Sequence, residues 1–168
     1  STNNGDTWAQ SNNGLTSTNT YALQKNSAGT VFCTAGIARV FKSTDNGNNW
    51  IEIGSVMPGS ITYCLASNSS DHVYAGTSDG LYKSTNDGSN WIKDSLDNNL
   101  IRTLQFSNFD KLFVGTDHHG MYRYSQGTSY YEKINDGLKN TFITTMTFNL
   151  NGDLFCGLNS NKFYKSSN

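Results

Sequence analysis

Ser43-Thr44-Asp45-Asn46-Gly47-Asn48-Asn49-Trp50 returns forty-one residues later as Ser84-Thr85-Asn86-Asp87-Gly88-Ser89-Asn90-Trp91. The chain also opens on it, as Ser1-Thr2-Asn3-Asn4-Gly5-Asp6-Thr7-Trp8. All three tryptophans close a copy, at intervals of 42 and 41 residues. Self-similarity at a fixed period of this length marks a repeat architecture. Within each copy Asp45, Asn86 or Asn3 can bond nearby backbone and close a turn. Gly47, Gly88 and Gly5 supply backbone that tolerates positive φ. Trp50, Trp91 and Trp8 begin a returning strand and can bury a large apolar area. The unit reads as a tight hairpin with its own small core.

Working outward, four strands fall in each repeat. First strands begin at Thr20, Ile61, Ile101 and Ile143, with β-branched and aromatic residues in period-2 alternation. Second strands follow a polar turn, as in Val73-Tyr74-Ala75-Gly76 and Leu112-Phe113-Val114-Gly115, and their terminal glycines predict close approach of a neighbouring backbone. Third strands place an aromatic beside a cation, as in Leu81-Tyr82-Lys83, and run into the repeated turn. Fourth strands leave it, as in Trp91-Ile92-Lys93. In the third repeat Ser125-Gln126-Gly127-Thr128-Ser129-Tyr130 is a shortened version, with Tyr130 expected in the tryptophan's place. No segment has helical periodicity.

Composition narrows the function classes. The 168 residues are 15% charged and 12% aromatic, with a net charge of −1 and no basic run, which argues against a nucleic-acid partner. No apolar stretch approaches the ~20 residues that span a bilayer, and the first residues lack the regions of a signal peptide. Cys33, Cys64 and Cys156 follow no metal spacing and read as buried free thiols. The turns at Asp45 and Asp87 lack the alternating oxygen ligands and twelfth-position glutamate of a calcium loop. They are read as structural, with no metal and no cofactor expected.

The pattern Ser43-x-Asp45-x-Gly47-x-x-Trp50, with Ser84, Asn86, Gly88 and Trp91 in the second copy and Asn3, Gly5 and Trp8 in the first, resembles the Asp-box (BNR) repeat. That repeat occurs in the propellers of sialidases, sortilin-type receptors and xyloglucan-cleaving glycosidases. The resemblance implies an all-β fold: a β-propeller of four-stranded antiparallel blades, about four of them over residues 1–168. These would form a single domain or a segment of a larger propeller. Trp8-Ala9-Gln10 is expected to complete the last blade as its fourth strand, and two chains could instead build one larger ring as a homodimer. An extracellular or periplasmic location is implied as well.

In such a blade the boxes lie on one face. The turns joining second to third strands, and the connections between blades, share the other. Propeller ligands generally use this second face around the channel, as the resemblance implies. Candidates there are Asp79, Asp97 and the group Asp117-His118-His119, the densest set of titratable residues. Catalysis is disfavoured. A sialidase needs an arginine triad, and Arg39, Arg102 and Arg123 are the only arginines; a glycosidase needs two facing carboxylates, and no pair stands out. The expectation is a non-catalytic module binding carbohydrate or a protein. A sialidase- or xyloglucanase-like fragment and a structural segment of a larger bacterial surface protein are the alternatives.

Overall fold

The computed structural model describes residues 1–17, 19–53, 60–125, 130–160 and 162–166. Strands β1 (Thr20–Lys25), β2 (Val31–Ala35), β3 (Arg39–Ser43) and β4 (Ile51–Glu52) form the first sheet in that order. The second holds β5 (Thr62–Ser67), β6 (Val73–Thr77), β7 (Gly80–Ser84) and β8 (Ile92–Ser95). The third holds β9 (Ile101–Phe106), β10 (Leu112–Thr116), β11 (Met121–Ser125) and β12 (Tyr130–Lys133). The fourth has three described strands, β13 (Ile143–Phe148), β14 (Leu154–Leu158) and β15 (Lys162–Ser166). All pairings are antiparallel, and β1, β5, β9 and β13 lie side by side in turn. These sheets are consecutive blades of a β-propeller.

The core is not one mass but a layer between each pair of blades. Phe32, Val40, Leu65 and Val73 pack between the first and second blades, and Leu81, Ile101, Leu104 and Val114 between the second and third. Met121, Ile143, Met146 and Leu154 do the same between the third and fourth. Each such side chain contributes about 1.5–3 kcal/mol on burial. The glycines ending second strands serve these layers. A Cβ on Gly115 would lie 2.7 Å from Ile143 Cγ2 and 2.6 Å from Thr103 Cγ2, and one on Gly76 would meet Cys64 Sγ and Ile101. The close approach is therefore made by side chains of the innermost strands, the next blade's isoleucine among them, rather than by backbone.

The repeated turn closes the same way in all three copies. The serine hydroxyl accepts from the glycine amide: Gly5 N to Ser1 Oγ at 2.8 Å, Gly47 N to Ser43 Oγ at 2.8 Å, Gly88 N to Ser84 Oγ at 2.9 Å. The Asn or Asp side-chain Oδ1 at the third position accepts from the backbone amide four residues on, at 3.1, 2.9 and 2.9 Å. Asn46 and Gly47 have φ of 58° and 88°, and both copies follow suit at Asn4-Gly5 and Asp87-Gly88. Two successive positive φ values under a bond from Asn48 N to Asp45 O give a type I′-like turn.

Three expectations need correction. Trp8-Ala9-Gln10 forms no strand and does not join the fourth sheet. The segment after it instead lies against the first blade, where Ser11 Oγ donates to Gly47 O and Trp50 N donates to Asn13 O. Burial of the tryptophans also differs. Trp50 is buried with Cys33, Ala35 and Phe41, Trp91 is half-buried, and Trp8 is 82% exposed because no described sheet stands beside it. Finally, the tryptophan position of the third blade belongs to Tyr131, not Tyr130. Tyr131 pairs with Tyr124, and Glu132 opposite Arg123 matches Ile92 opposite Lys83. Residues 126–129 of that shortened turn lie outside the described residues. Cys33, Cys64 and Cys156 are free, and burial pushes the Cys64 thiol up to about 12.

Candidate functional site

Strict alternation would put residues two apart on the same side of a strand. The innermost strands break it. Ile101 and Leu104 are both buried though three apart, as are Ile143 with Met146 and Thr62 with Leu65. The pairing with the second strand skips one residue each time, at Tyr21, Tyr63, Arg102 and Thr144. A β-bulge thus recurs at one position in all four blades, and a bulge re-aims the side chain it carries. Just ahead of each bulge the turn between second and third strands is tied down. Gly36, Ser78, Asp117 and Asn159 donate their amides to Asn19, Ile61, Leu100 and Phe142 at 2.9–3.1 Å.

The bulge residues form a row across neighbouring blades. Tyr21 and Tyr63 meet edge to face with centroids 6.2 Å apart. The Arg102 guanidinium lies 4.9 Å from the Tyr63 ring and 5.5 Å from that of Phe142. Its Nη2 donates to Asp117 Oδ2 at 3.2 Å, and that carboxylate is only 14% exposed. His118 is 75% exposed, with Nε2 3.9 Å from the same oxygen and its ring 5.5 Å from Phe142. The remaining Asp117 Oδ1 and Arg102 Nε are buried without a hydrogen-bond partner among the described residues. The turn is stiffly held: Thr141 Oγ1 donates to His118 O at 2.7 Å and Asn135 Nδ2 to His119 O at 3.1 Å. Aromatic faces, a stacked cation, a carboxylate and an open imidazole are thereby fixed at one end of the blades.

The other candidates do not join this group. Asp79 and Asp97 both accept from Lys93 Nζ at 3.0 Å. Those bonds, from Asp97 first and then Asp79, hold the Lys93 ammonium protonated well above its usual range. The Tyr82 hydroxyl also donates to Asp79 at 3.3 Å. His119 is exposed, and its hydrogen bonds are made by its backbone. Among the described residues no group of three His, Cys, Asp or Glu could hold a metal ion.

The model of the DUF6242 beta propeller domain matches residues 1–109. The chain belongs to that family. A search of curated proteins found no significant match. Among solved structures, the DUF6242 chain is similar to an extracellular domain assigned to a hybrid two component system of B. thetaiotaomicron. The TM-score is 0.76 at 18% identity, over 92% of this chain and 22% of that one. It is similar to a Niastella koreensis GH74 enzyme with a TM-score of 0.67 at 19% identity, over 87% and 28%. YCF48, in a structure with a bound D1 peptide, gives 0.65 at 16% identity, over 88% and 50%. The chain therefore spans about a fifth of the first of these proteins and half of the last. At such identities the likeness is one of fold.

In this DUF6242 propeller the candidates Asp117 and His118 lie in the Arg102 group, whereas Arg102, Tyr63 and Phe142 were not among the candidates named from the sequence. The signal was present. The odd spacing from Ile101 to Leu104 and from Ile143 to Met146 betrays the bulge that turns Arg102 and Thr144 out.

Proposed function

We propose that this propeller is a non-catalytic binding module of an extracellular protein, and that it takes carbohydrate at the end of the blades carrying Tyr63, Arg102, Asp117, His118 and Phe142. The observation that carries the reading is the bulge row, which presents aromatic rings beside a neutralised Arg102–Asp117 pair. Such a surface suits a ligand with apolar ring faces and many hydroxyls. Asp79 and Asp97 would border it as a polar rim, joined to Lys93. The same pairing weighs against glycoside hydrolysis, because Asp79, Asp97 and Asp117 are engaged in ion pairs with Lys93 or Arg102 rather than facing one another across a cleft. The repeated turn at Ser43, Ser84 and Ser1 is taken as an Asp box, on the strength of its identical hydrogen bonds. An extracellular location is supported by the extracellular two component domain of like fold.

A glycan array followed by calorimetry tests this. Saturable glycan binding that Arg102→Ala weakens about tenfold or more, in a variant that remains folded by circular dichroism, is the expected result. Binding indifferent to Arg102→Ala, or binding of peptides alone, sinks the carbohydrate reading.

A further inference from the structure

The first and fourth blades carry matching uncovered faces. At each blade interface a residue of a third strand meets one from the next blade's innermost strand. Val40 clusters with Leu65, Leu81 with Leu104, and Met121 with Met146, and all six are buried. Strand register places Phe163 where Val40, Leu81 and Met121 stand, opposite Gly157 as Met121 is opposite Gly115. It places Leu23 where Leu65, Leu104 and Met146 stand, opposite Cys33 as Met146 is opposite Cys156. Yet Phe163 is 78% exposed and Leu23 66%. The notch at Gly157 is open too. Among the described residues a Cβ there would meet only Thr145 and Thr144 of its own blade, whereas at Gly76 and Gly115 it would strike an isoleucine of the next.

The backbone is open in a complementary way. β13 to β15 form a blade whose outer edge, along β15, has no fourth strand among the described residues. Residues 1–17 form the reverse: a closed turn, the fourth-strand stretch Trp8-Ala9-Gln10 and a connection, with no described third strand beside them. That connection matches the one after the third blade. Leu15 N donates to Asn12 O at 3.0 Å and Leu138 N to Asn135 O at 2.9 Å, with Gly14 and Gly137 at φ of 89° and 83°. Leu15 packs on the first blade as Leu138 packs on the fourth. One side of the molecule thus offers three strands without a fourth, and the other a fourth strand without three. An unpaired edge flanked by exposed apolar side chains favours association. Faces that differ but fit one another join copies head to tail.

We propose that this chain associates head to tail with a second copy of itself, which completes its fourth blade. Trp8-Ala9-Gln10 of the second copy pairs with β15, its Leu23 packs on Phe163, and its Thr20 enters the notch at Gly157. Ser166 and the second copy's Ser1 hold the same repeat position, so one displaces the other at the start of the turn. Two copies of four blades hold eight, within the range of roughly 4–8 for a ring. The association is independent of carbohydrate binding at the Arg102 group. Sedimentation velocity of the full chain, from low to high micromolar concentration, tests it. The expected species has twice the mass of the chain. Phe163→Asp and Leu23→Asp should each weaken it about tenfold or more. Both should stay folded by circular dichroism, because the two side chains are exposed in the single copy. Leu150→Asp, exposed in the turn between β13 and β14, should change nothing. Mixing Phe163→Asp with Leu23→Asp leaves one intact interface, so association should return in the mixture alone. Amide exchange along β15, fast in the dilute chain, should slow as copies associate. A chain that stays monomeric at high concentration overturns the proposal and leaves these faces to a different partner. Association that survives Phe163→Asp overturns it too, as does a mixture no better than its components, the mark of a face-to-face contact.

Discussion

At the scale of the residue, one motif has three different energetic values. The copies at Ser1, Ser43 and Ser84 make the same backbone bonds, yet their tryptophans meet different surroundings. Trp50→Ala should cost about 3–5 kcal/mol in urea unfolding, as for a buried aromatic. Trp91→Ala should cost less, and Trp8→Ala about 0.5 kcal/mol or nothing; equal losses at all three would refute the role given to burial. The titratable member of the set gives a second prediction. Hydrogen bonds from the Asn49 side chain and backbone, then from Ser43, hold the Asp45 carboxyl below its usual 3.8. A depressed folded pKa stabilises above the unfolded value and is lost as pH falls through the folded one, so this contribution fades below about pH 4. Asn86 makes the same backbone bond without titrating. Asp45→Asn should therefore keep the turn and flatten that part of the acid limb of a stability–pH profile.

At the scale of the element, the blades are clasped through turns and glycines. Asp71 adopts φ 61° where Gly29 stands in the first blade, and its Oδ1 accepts from Ser27 N at 2.9 Å across the interface. Asp110 repeats both features toward Ser69 N, also at 2.9 Å. A left-handed non-glycine residue costs roughly 1–2 kcal/mol, which the clasp offsets with about 0.5–1.5 kcal/mol per hydrogen bond. Asp71→Gly should thus be close to neutral in thermal melts, because relief of φ offsets the loss of the two bonds from Ser27 N and Oγ. Asp71→Ala keeps the conformational cost, loses both bonds and should destabilise; if it melted like Asp71→Gly, the balance would be wrong. Gly115→Ala forces a Cβ to 2.7 Å from Ile143 Cγ2. It should cost about 1–3 kcal/mol as overpacking, and unchanged stability would mean that the third and fourth blades are not pressed together there.

At the scale of the whole molecule, each blade contacts its neighbours in sequence, so stability is a sum of blade and interface contributions. β5 and β9 have a blade on either side and should show the slowest amide exchange, with β4 and β15 among the fastest. Uniform protection would argue for a single cooperative core instead. Much of this was legible in the amino-acid order. Period, glycine and tryptophan placement and strand alternation are local properties, and a turn such as Ser43 to Trp50 closes by bonds within eight residues. They determine an all-β array of four-stranded blades without reference to any distant contact. The sites are another matter. Arg102 joins the candidate group only because a bulge re-aims it, the neighbouring blades bring Tyr63 and Phe142 to its sides, and the turn after β10 brings Asp117. Trp8 and Trp50 are alike in sequence and opposite in burial, because burial depends on what packs alongside. Tyr131 takes the tryptophan position in place of Tyr130 through strand register, which is fixed by pairing with β11. Short-range hydrogen bonds and side-chain alternation wrote the blade into the sequence; the packing of one blade on the next decided which side chains are buried and which meet at its end, and only the tertiary structure holds that information.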